Sequence, residues 1–98
     1  MALAAGPSSA ALAAGNTVVC KPASQGAAVA HMLYEVYRDA GLPAGAFHLV
    51  TGAGSVVGEE IATNPDVQGI TFTGSYDVGM KVYRDFAKDY PKPVICEM

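Results

Sequence analysis

Short apolar β-type runs alternate with helical stretches along the whole chain, and this alternation limits the folds available to it. A helix over residues 7–13 is followed by three strand-and-helix pairs and then by a last strand. Strands that alternate with helices of this length indicate βαβ units with right-handed crossovers. The predicted fold class is therefore α/β, a doubly wound parallel sheet, and residues 1–98 form one domain piece.

The predicted strands cover residues 17–20, 46–50, 69–73 and 93–96, and the later helices cover residues 24–40, 55–62 and 75–88. Glycines after two helices, in Gly15-Asn16 and Gly41-Leu42, are typical left-handed helix ends. Apolar residues at helical spacing predict two buried stripes. One stripe comprises Val29, Met32, Leu33, Val36 and Ala40, and the other comprises Val78, Val82 and Phe86.

The composition restricts the partners that this chain can have. A net charge of −3, with only six scattered Lys and Arg residues, argues against binding to nucleic acid or to an anionic membrane. No apolar run is long enough to cross a bilayer, and the alanine-rich start lacks the basic segment of a signal peptide. A 51% apolar and 15% charged sequence favours a sheet covered on both faces, or a surface that another part of the protein covers.

Neither the cysteines nor the histidines are spaced as metal ligands. Cys20 and Cys96 are expected to be free, buried thiols in a reducing compartment, which indicates a cytoplasmic location. We expect His31 and His48 to be structural or surface residues.

Three turns fall at carboxyl ends of predicted strands, where ligands of open parallel sheets collect. They are Lys21, residues 52–54 and Gly74-Ser75. In the third turn a strand stops at Gly74 and Ser75 opens a helix. The unpaired N–H groups of that helix, with its dipole behind them, make an anion site that suits a phosphate.

Each remaining candidate has two interpretations. Residues 52–58 resemble a dinucleotide fingerprint, but the third glycine comes one residue late, so a tight turn with close helix packing is the alternative. Lys21 reaches a ribose or phosphate oxygen, or is only solvated. Glu97 is a general base if it is shielded from water, and otherwise a solvated carboxylate. Cys96 lies inside a strand pattern with no histidine nearby, so we reject it as a nucleophile.

Taken together, four ordered motifs resemble the aldehyde dehydrogenase superfamily over nearly the whole chain. They are residues 13–19 followed by Lys21-Pro22, residues 40–45, Phe72-Thr73-Gly74-Ser75 with Val78-Gly79, and Cys96-Glu97-Met98. The resemblance implies a Rossmann-like cofactor domain and NAD(P)-dependent oxidation of a small aldehyde to a carboxylate, through a thiohemiacetal and an acyl-enzyme. It also implies a homo-oligomeric parent enzyme.

The resemblance also assigns roles to residues. Lys21 and Ser24 would contact the adenosine ribose, and Ser75 would hold the pyrophosphate. Glu97 would be the catalytic general base for the water that releases the acyl group. The full set of implied cofactor-binding residues is Lys21, Pro22, Ser24, Gly54, Gly58, Phe72, Thr73, Gly74, Ser75, Val78, Gly79 and Met98. Within it, Gly54 and Gly58 would allow close approach to the adenine, and Val78 would pack near the same half of the cofactor.

Two departures from the family pattern matter. NAD-preferring members often carry a glutamate where this chain has Ser24, and loss of that carboxylate removes the repulsion of a 2′-phosphate, so NADP becomes admissible. Strict NAD preference would contradict this. The chain also stops before the family's catalytic cysteine, and neither Cys20 nor Cys96 matches it. We therefore expect the central part of a cofactor-binding domain that is inactive alone.

Lys81-Val82-Tyr83 and Glu97-Met98 resemble, within the superfamily, members that oxidise glutamate semialdehyde, the pyrroline-carboxylate branch. Two hypotheses from other classes stay open. One is a standalone nucleotide-binding or regulatory module, which submillimolar NADP affinity without turnover would favour. The other is a structural remnant that needs a partner chain to cover its apolar faces, which concentration-dependent sedimentation would reveal.

Overall fold

The computed structural model describes all residues, Met1–Met98, and the chain divides into two compact units, Met1–Val57 and Gly58–Met98. The first unit contains two helices and two strands: α1 (Ala2–Ala13), β1 (Val18–Cys20), α2 (Ala27–Asp39) and β2 (Phe47–Leu49). A 3₁₀ turn, Ser24–Gly26, precedes α2, and a π-helical turn, Gly54–Gly58, follows β2. The second unit contains α3 (Glu59–Thr63), β3 (Ile70–Thr73), α4 (Tyr76–Asp85) and β4 (Val94–Glu97).

All strand pairing is parallel, so the predicted α/β class is confirmed. In the first unit β1 pairs with β2, with Val18 opposite Phe47. In the second unit β3 pairs with β4, with Thr73 opposite Glu97. The alternation predicted one sheet, whereas the hydrogen-bonded sheets have two strands each. Each unit is therefore one parallel strand pair with its own crossover helix.

Both predicted glycine helix ends are confirmed. Gly15 and Gly41 have φ values of +86° and +83°, in the left-handed region that favours glycine. After α2, the N–H of Gly41 donates to Arg38 O and the N–H of Leu42 donates to Tyr37 O, both at 3.0 Å. This pair of bonds is a Schellman motif, which satisfies carbonyls that the helix end leaves free.

The start of α1 differs from the prediction. Pro7 was expected in the first turn, but the helix begins at Ala2 and Pro7 lies inside it. Proline removes one helical hydrogen bond there. The alanines on both sides have the highest helix propensity and extend the helix past it.

The buried face of α2 is not the predicted one. Leu33 is buried as expected, but Val29, Met32 and Val36 are 40%, 56% and 58% exposed, and Ala40 is exposed as well. Ala30 is buried instead. The helix turns its aromatic side inward, because Tyr37 packs edge-on against the buried Phe47 with ring centroids 5.0 Å apart.

The stripe on α4 is confirmed at two of its three positions. Val82 and Phe86 are buried, whereas Val78 is 50% exposed. A spacing of four residues drifts by about 40° per step around a helix, so three successive members do not share one narrow face. Gly79, three residues before Val82, takes the inner position and is buried.

Candidate functional site

The turn between β3 and α4 supplies the anion-binding geometry that the sequence predicts. Ser75 is the residue before the helix, with extended backbone angles of φ −68° and ψ 148°. The N–H groups of Tyr76, Asp77 and Val78 belong to the first turn and have no helical acceptor. The Ser75 side chain makes no capping hydrogen bond and is exposed. Three amides and a hydroxyl are thus available to one anion.

A hydrogen bond and an aromatic ring fix this turn on its inner side. The N–H of Gly74 donates to Glu97 O at 3.1 Å, which continues the β3–β4 ladder by one residue. A Cβ added at Gly74 would lie 2.6 Å from Cζ of Phe72. The backbone of Gly74 therefore lies directly on the Phe72 ring, and the absence of a side chain is what permits this approach.

Gly79 makes a second close approach in the same unit. A Cβ there would lie 2.5 Å from Sδ of Met98 and 3.3 Å from Cε1 of Phe72. The thiol of Cys96 donates to Gly79 O at a Sγ···O distance of 3.5 Å. Gly79 therefore faces β4 and Phe72, and it contributes packing to the turn.

The predicted last strand, residues 93–96, ends before Glu97, whereas in the structure Glu97 is the last residue of β4. Side chains of β3 and β4 alternate, with Ile70, Phe72, Val94 and Cys96 half-buried and Thr71, Thr73, Ile95 and Glu97 exposed. Because Cys96 contacts Gly79 of α4, the Glu97 carboxylate lies on the sheet face away from that helix. In this chain that face is open, and Glu97 shares it with Thr73.

The first unit places Lys21 directly after β1, as predicted, but turns its side chain along the chain. Its Nζ donates to Pro22 O at 2.9 Å, and the residue is half-buried. Ser24 is exposed in the first position of the 3₁₀ turn and does not cap α2, whose N-cap residue is Gly26. Its hydroxyl is free to bind a ligand.

The glycine-rich segment after β2 needs a glycine at a position that the dinucleotide fingerprint does not single out. Gly52 has φ +152°, and a Cβ added there would lie 2.5 Å from Cγ2 of Val57. Gly54 has only open space around it. Gly54 and Gly58 are the first and last residues of a π-helical turn, a geometry that occurs often at functional sites. Gly52, rather than Gly54, is the position whose backbone needs glycine.

Both cysteines are free and half-buried, and neither is arranged as a nucleophile. Burial raises the pKa of the Cys20 thiol, and the neighbouring Lys21 ammonium lowers it by less, so the thiol stays protonated at neutral pH. The thiol of Cys96 donates a hydrogen bond to Gly79 O. His31 and His48 are exposed, as expected. No group of three or more His, Cys, Asp or Glu side chains is placed to hold a metal ion.

Two pockets of the molecule lie away from the Ser75 turn. One of about 140 Å³ in the first unit is lined by Tyr37, Leu42 and Phe47 among others. One of about 530 Å³ in the second unit lies between α3 and the C-terminal end of α4, beside Glu59, Phe86 and Tyr90. Residues 73–78 are exposed, so the candidate anion site is an open surface of the second unit. No helix has the length and apolar character required to cross a membrane.

The whole chain, residues 1–98, matches the aldehyde dehydrogenase family. It is 46% identical to a 1-pyrroline-5-carboxylate dehydrogenase of Bacillus cytotoxicus, over 99% of this chain and 20% of that protein. The chain thus spans about a fifth of the length of the curated relatives that it matches.

Solved structures give the same result. Proline utilization A of Bradyrhizobium japonicum is 41% identical, with a TM-score of 0.92 over 99% of this chain and 10% of that one. An NAD-dependent aldehyde dehydrogenase of Sinorhizobium meliloti is 39% identical, with a TM-score of 0.78 over 84% of this chain and 16% of that one. An NADP-dependent enzyme of E. coli is 45% identical, with a TM-score of 0.85 over 91% and 18%.

The family match covers residues 1–98 and so includes the segments on which the sequence resemblance depends. The structural neighbours include an NAD-dependent and an NADP-dependent enzyme, so they support a nicotinamide cofactor in general. The chain belongs to the aldehyde dehydrogenase family, and its relatives support the pyrroline-carboxylate branch.

Proposed function

We propose that this chain is the central part of the cofactor-binding domain of an NAD(P)-dependent aldehyde dehydrogenase. The observation that carries the proposal is the β3–α4 turn, where Ser75 and the free amides of Tyr76, Asp77 and Val78 are available to an anion. A dinucleotide carries a pyrophosphate, and helix N-termini bind such groups. The family match over the full chain supports a nicotinamide dinucleotide as that ligand.

Each unit has its own set of proposed contacts with this cofactor. In the second unit, Ser75 and the amides behind it bind the pyrophosphate, and Gly74 and Gly79 allow the close packing that shapes the turn. In the first unit, Lys21 and Ser24 contact the adenosine ribose. Pro22, Gly54 and, at the start of the second unit, Gly58 complete the proposed contacts with the nucleotide.

A bound nicotinamide supplies the acceptor for the hydride that leaves the aldehyde carbon. The contribution of this chain to the reaction is then a proton transfer at Glu97. Its carboxylate takes a proton from the water that releases the acyl group, and the product is a carboxylate. In the 98-residue chain Glu97 is exposed, so we propose that the rest of the enzyme shields it.

The substrate we propose is glutamate semialdehyde, the open form of 1-pyrroline-5-carboxylate, because the curated relatives carry that name. The whole enzyme is then a homo-oligomer, as the sequence resemblance implies. The 98-residue chain itself does not turn over aldehyde in this proposal. Burial raises the pKa of the Cys20 thiol, and the thiol of Cys96 donates a hydrogen bond to a backbone carbonyl, so neither cysteine is arranged as an activated nucleophile.

A structural remnant without catalysis is the second candidate, and exposed apolar side chains favour it. Val19 on β1 and Ile95 on β4 are 51% and 62% exposed, and each lies on the uncovered face of its sheet. A parallel sheet normally has both faces covered. A larger enzyme satisfies this requirement as well as a partner chain does.

A segment exchange tests the proposal. Residues 1–98 replace the matching segment of the Bacillus cytotoxicus dehydrogenase, and aldehyde-dependent reduction of NAD and NADP is measured. We expect an active enzyme whose kcat falls by about 10²–10⁴-fold in Glu97→Gln, since a general base contributes that much. Glu35→Gln on α2 is the matched control and leaves kcat unchanged.

The same enzyme tests the cofactor preference. Because Ser24 carries no charge to repel a 2′-phosphate, we expect NADP to be accepted, and Ser24→Glu to raise the NAD over NADP ratio of kcat/KM about tenfold or more. A folded but inert exchange enzyme, or equal activity of the Glu97→Gln and Glu35→Gln variants, would contradict the proposal. Strict use of NAD would contradict the proposal that Ser24 lets the site accept NADP.

A further inference from the structure

The short helix α3 begins directly after Gly58, to which the proposed function gives a contact with the nucleotide. The helix spans Glu59–Thr63, and none of its residues is buried. So short a helix is unstable by itself in water, and contacts with the rest of the unit must hold it in place. The side-chain hydrogen bonds of Thr63 and Asn64 go to acceptors within the helix itself. The side chain of Glu59 is the one that reaches another helix by hydrogen bonds.

An ion pair joins α3 to α4. Nζ of Lys81 donates to both carboxylate oxygens of Glu59, at 2.8 Å and 2.6 Å. Asp85, one turn further along α4, lies 3.8 Å from the same Nζ and adds a weaker attraction from its own helix. Ile61 and Ala62 of α3 are half-buried, so packing contributes to the contact, but the ion pair gives it a direction.

The ion pair connects two segments that carry proposed cofactor contacts. Glu59 follows Gly58, the last residue of the π-helical turn. Lys81 lies on α4, the helix that Ser75 precedes. All four residues belong to the second unit. Because Lys81 and the anion-binding turn are parts of one continuous helix, a shift of α3 along α4 moves Gly58 relative to Ser75.

We propose that Glu59 and Lys81 are positioning residues for the cofactor site. Their ion pair, which we name the α3–α4 tie, sets the place of Gly58 relative to the Ser75 turn. The tie acts by holding two backbone segments at the spacing that a dinucleotide needs, and small misplacements of such segments weaken binding. The inference rests on the proposed function, which gives Gly58 and Ser75 their contacts.

Reversal of charge tests the tie without truncating an apolar side chain. Lys81→Glu sets a third carboxylate between Glu59 and Asp85, so the attraction becomes a repulsion. The double variant Lys81→Glu/Glu59→Lys restores opposite charges, and recovery in it distinguishes an ion pair from a general loss of packing. Lys88→Glu is the matched control, because it makes the same change of charge at an exposed lysine of the same unit, outside the tie.

Amide hydrogen exchange of the full 98-residue chain reports the docking of α3 without any nucleotide. The N–H of Asn64 donates to Glu60 O at 2.9 Å and closes the end of this helix. Since an exposed ion pair contributes modestly, this N–H should exchange about threefold faster in Lys81→Glu and within about 1.5-fold of the parent in the double variant and in Lys88→Glu. A parent-like rate in Lys81→Glu, or no recovery in the double variant, overturns the proposal.

The segment-exchange enzyme gives the second readout. In it, Lys81→Glu should raise KM for NADP about threefold and leave kcat within about twofold, because the tie affects binding rather than the chemical step. The double variant should recover the parent KM. Faster exchange at Asn64 together with a parent-like KM overturns the positioning role. A segment-exchange enzyme without activity contradicts the proposed function, and the Asn64 exchange rates then decide the tie by themselves.

Discussion

Cys20 shows how local environment changes the chemistry of one side chain. The thiol is half-buried at the end of β1, and burial raises its pKa more than the adjacent Lys21 ammonium lowers it. A sulfur in this state is a packing group rather than a reagent. Deprotonation of Cys20 should therefore change the free energy of unfolding rather than the reactivity of the thiol.

The pH dependence of stability follows from this shift. The folded chain holds the Cys20 proton more tightly than the unfolded chain, so the contribution of Cys20 to the free energy of unfolding is complete below the ordinary thiol pKa of 9.0. It is lost as the pH rises through the raised folded-state pKa. Between about pH 8 and about pH 10, Cys20→Ser should lose less stability than the parent in chemical denaturation. If the free energies of unfolding of the parent and of Cys20→Ser change in parallel over this pH range, the raised pKa assigned to Cys20 is wrong.

At the scale of single residues, a structural feature was predictable from the sequence where one residue determines it. Gly15, Gly41 and the Gly74-Ser75 turn follow from backbone requirements written in the local sequence. The contact of Cys96 with Gly79 was not predictable, because it depends on the register of β4 beside β3. No local pattern gives that register.

Helix α2 shows where helical spacing alone fails as a predictor. Two apolar faces run along it, one through Met32 and Val36 and the other through Ala30 and Leu33. Packing against Phe47 selects the second, because Tyr37 then meets the Phe47 ring. The periodicity predicted a helix correctly and its orientation incorrectly.

The C-terminal end of α2 allows a direct test at the element scale. Gly41 adopts φ +83° with open space around its Cα, so a side chain there meets only backbone strain. Gly41→Ala should lower the free energy of unfolding by about 1 kcal/mol. Gly26→Ala is the matched control, since Gly26 has φ −97° and equally open surroundings, and its effect should stay within about 0.5 kcal/mol. Equal effects of the two substitutions would show that the left-handed helix end is not needed.

At the scale of the whole molecule, alternation of strands and helices predicted the α/β class and the parallel pairing. It did not predict two separate strand pairs, because hydrogen bonding between strands of different units is not encoded in an alternation pattern. The strand-to-helix turn of the candidate anion site was predictable, since neighbouring residues build it. For Glu97 the sequence pattern left a general base and a solvated carboxylate both open, and the proposed role as general base rests on the family resemblance.

We propose that the Ser75 turn binds the phosphate part of a nicotinamide dinucleotide, and an NMR titration tests this proposal most directly. NADP is added to the ¹⁵N-labelled chain, with nicotinamide alone, which has no phosphate, as the control. We expect saturable shifts of the Tyr76, Asp77 and Val78 amides, with a dissociation constant of about 1 mM or weaker for so small a part of the site. If these amides keep their free positions up to about 10 mM NADP, or if nicotinamide alone moves them equally, the claim is wrong.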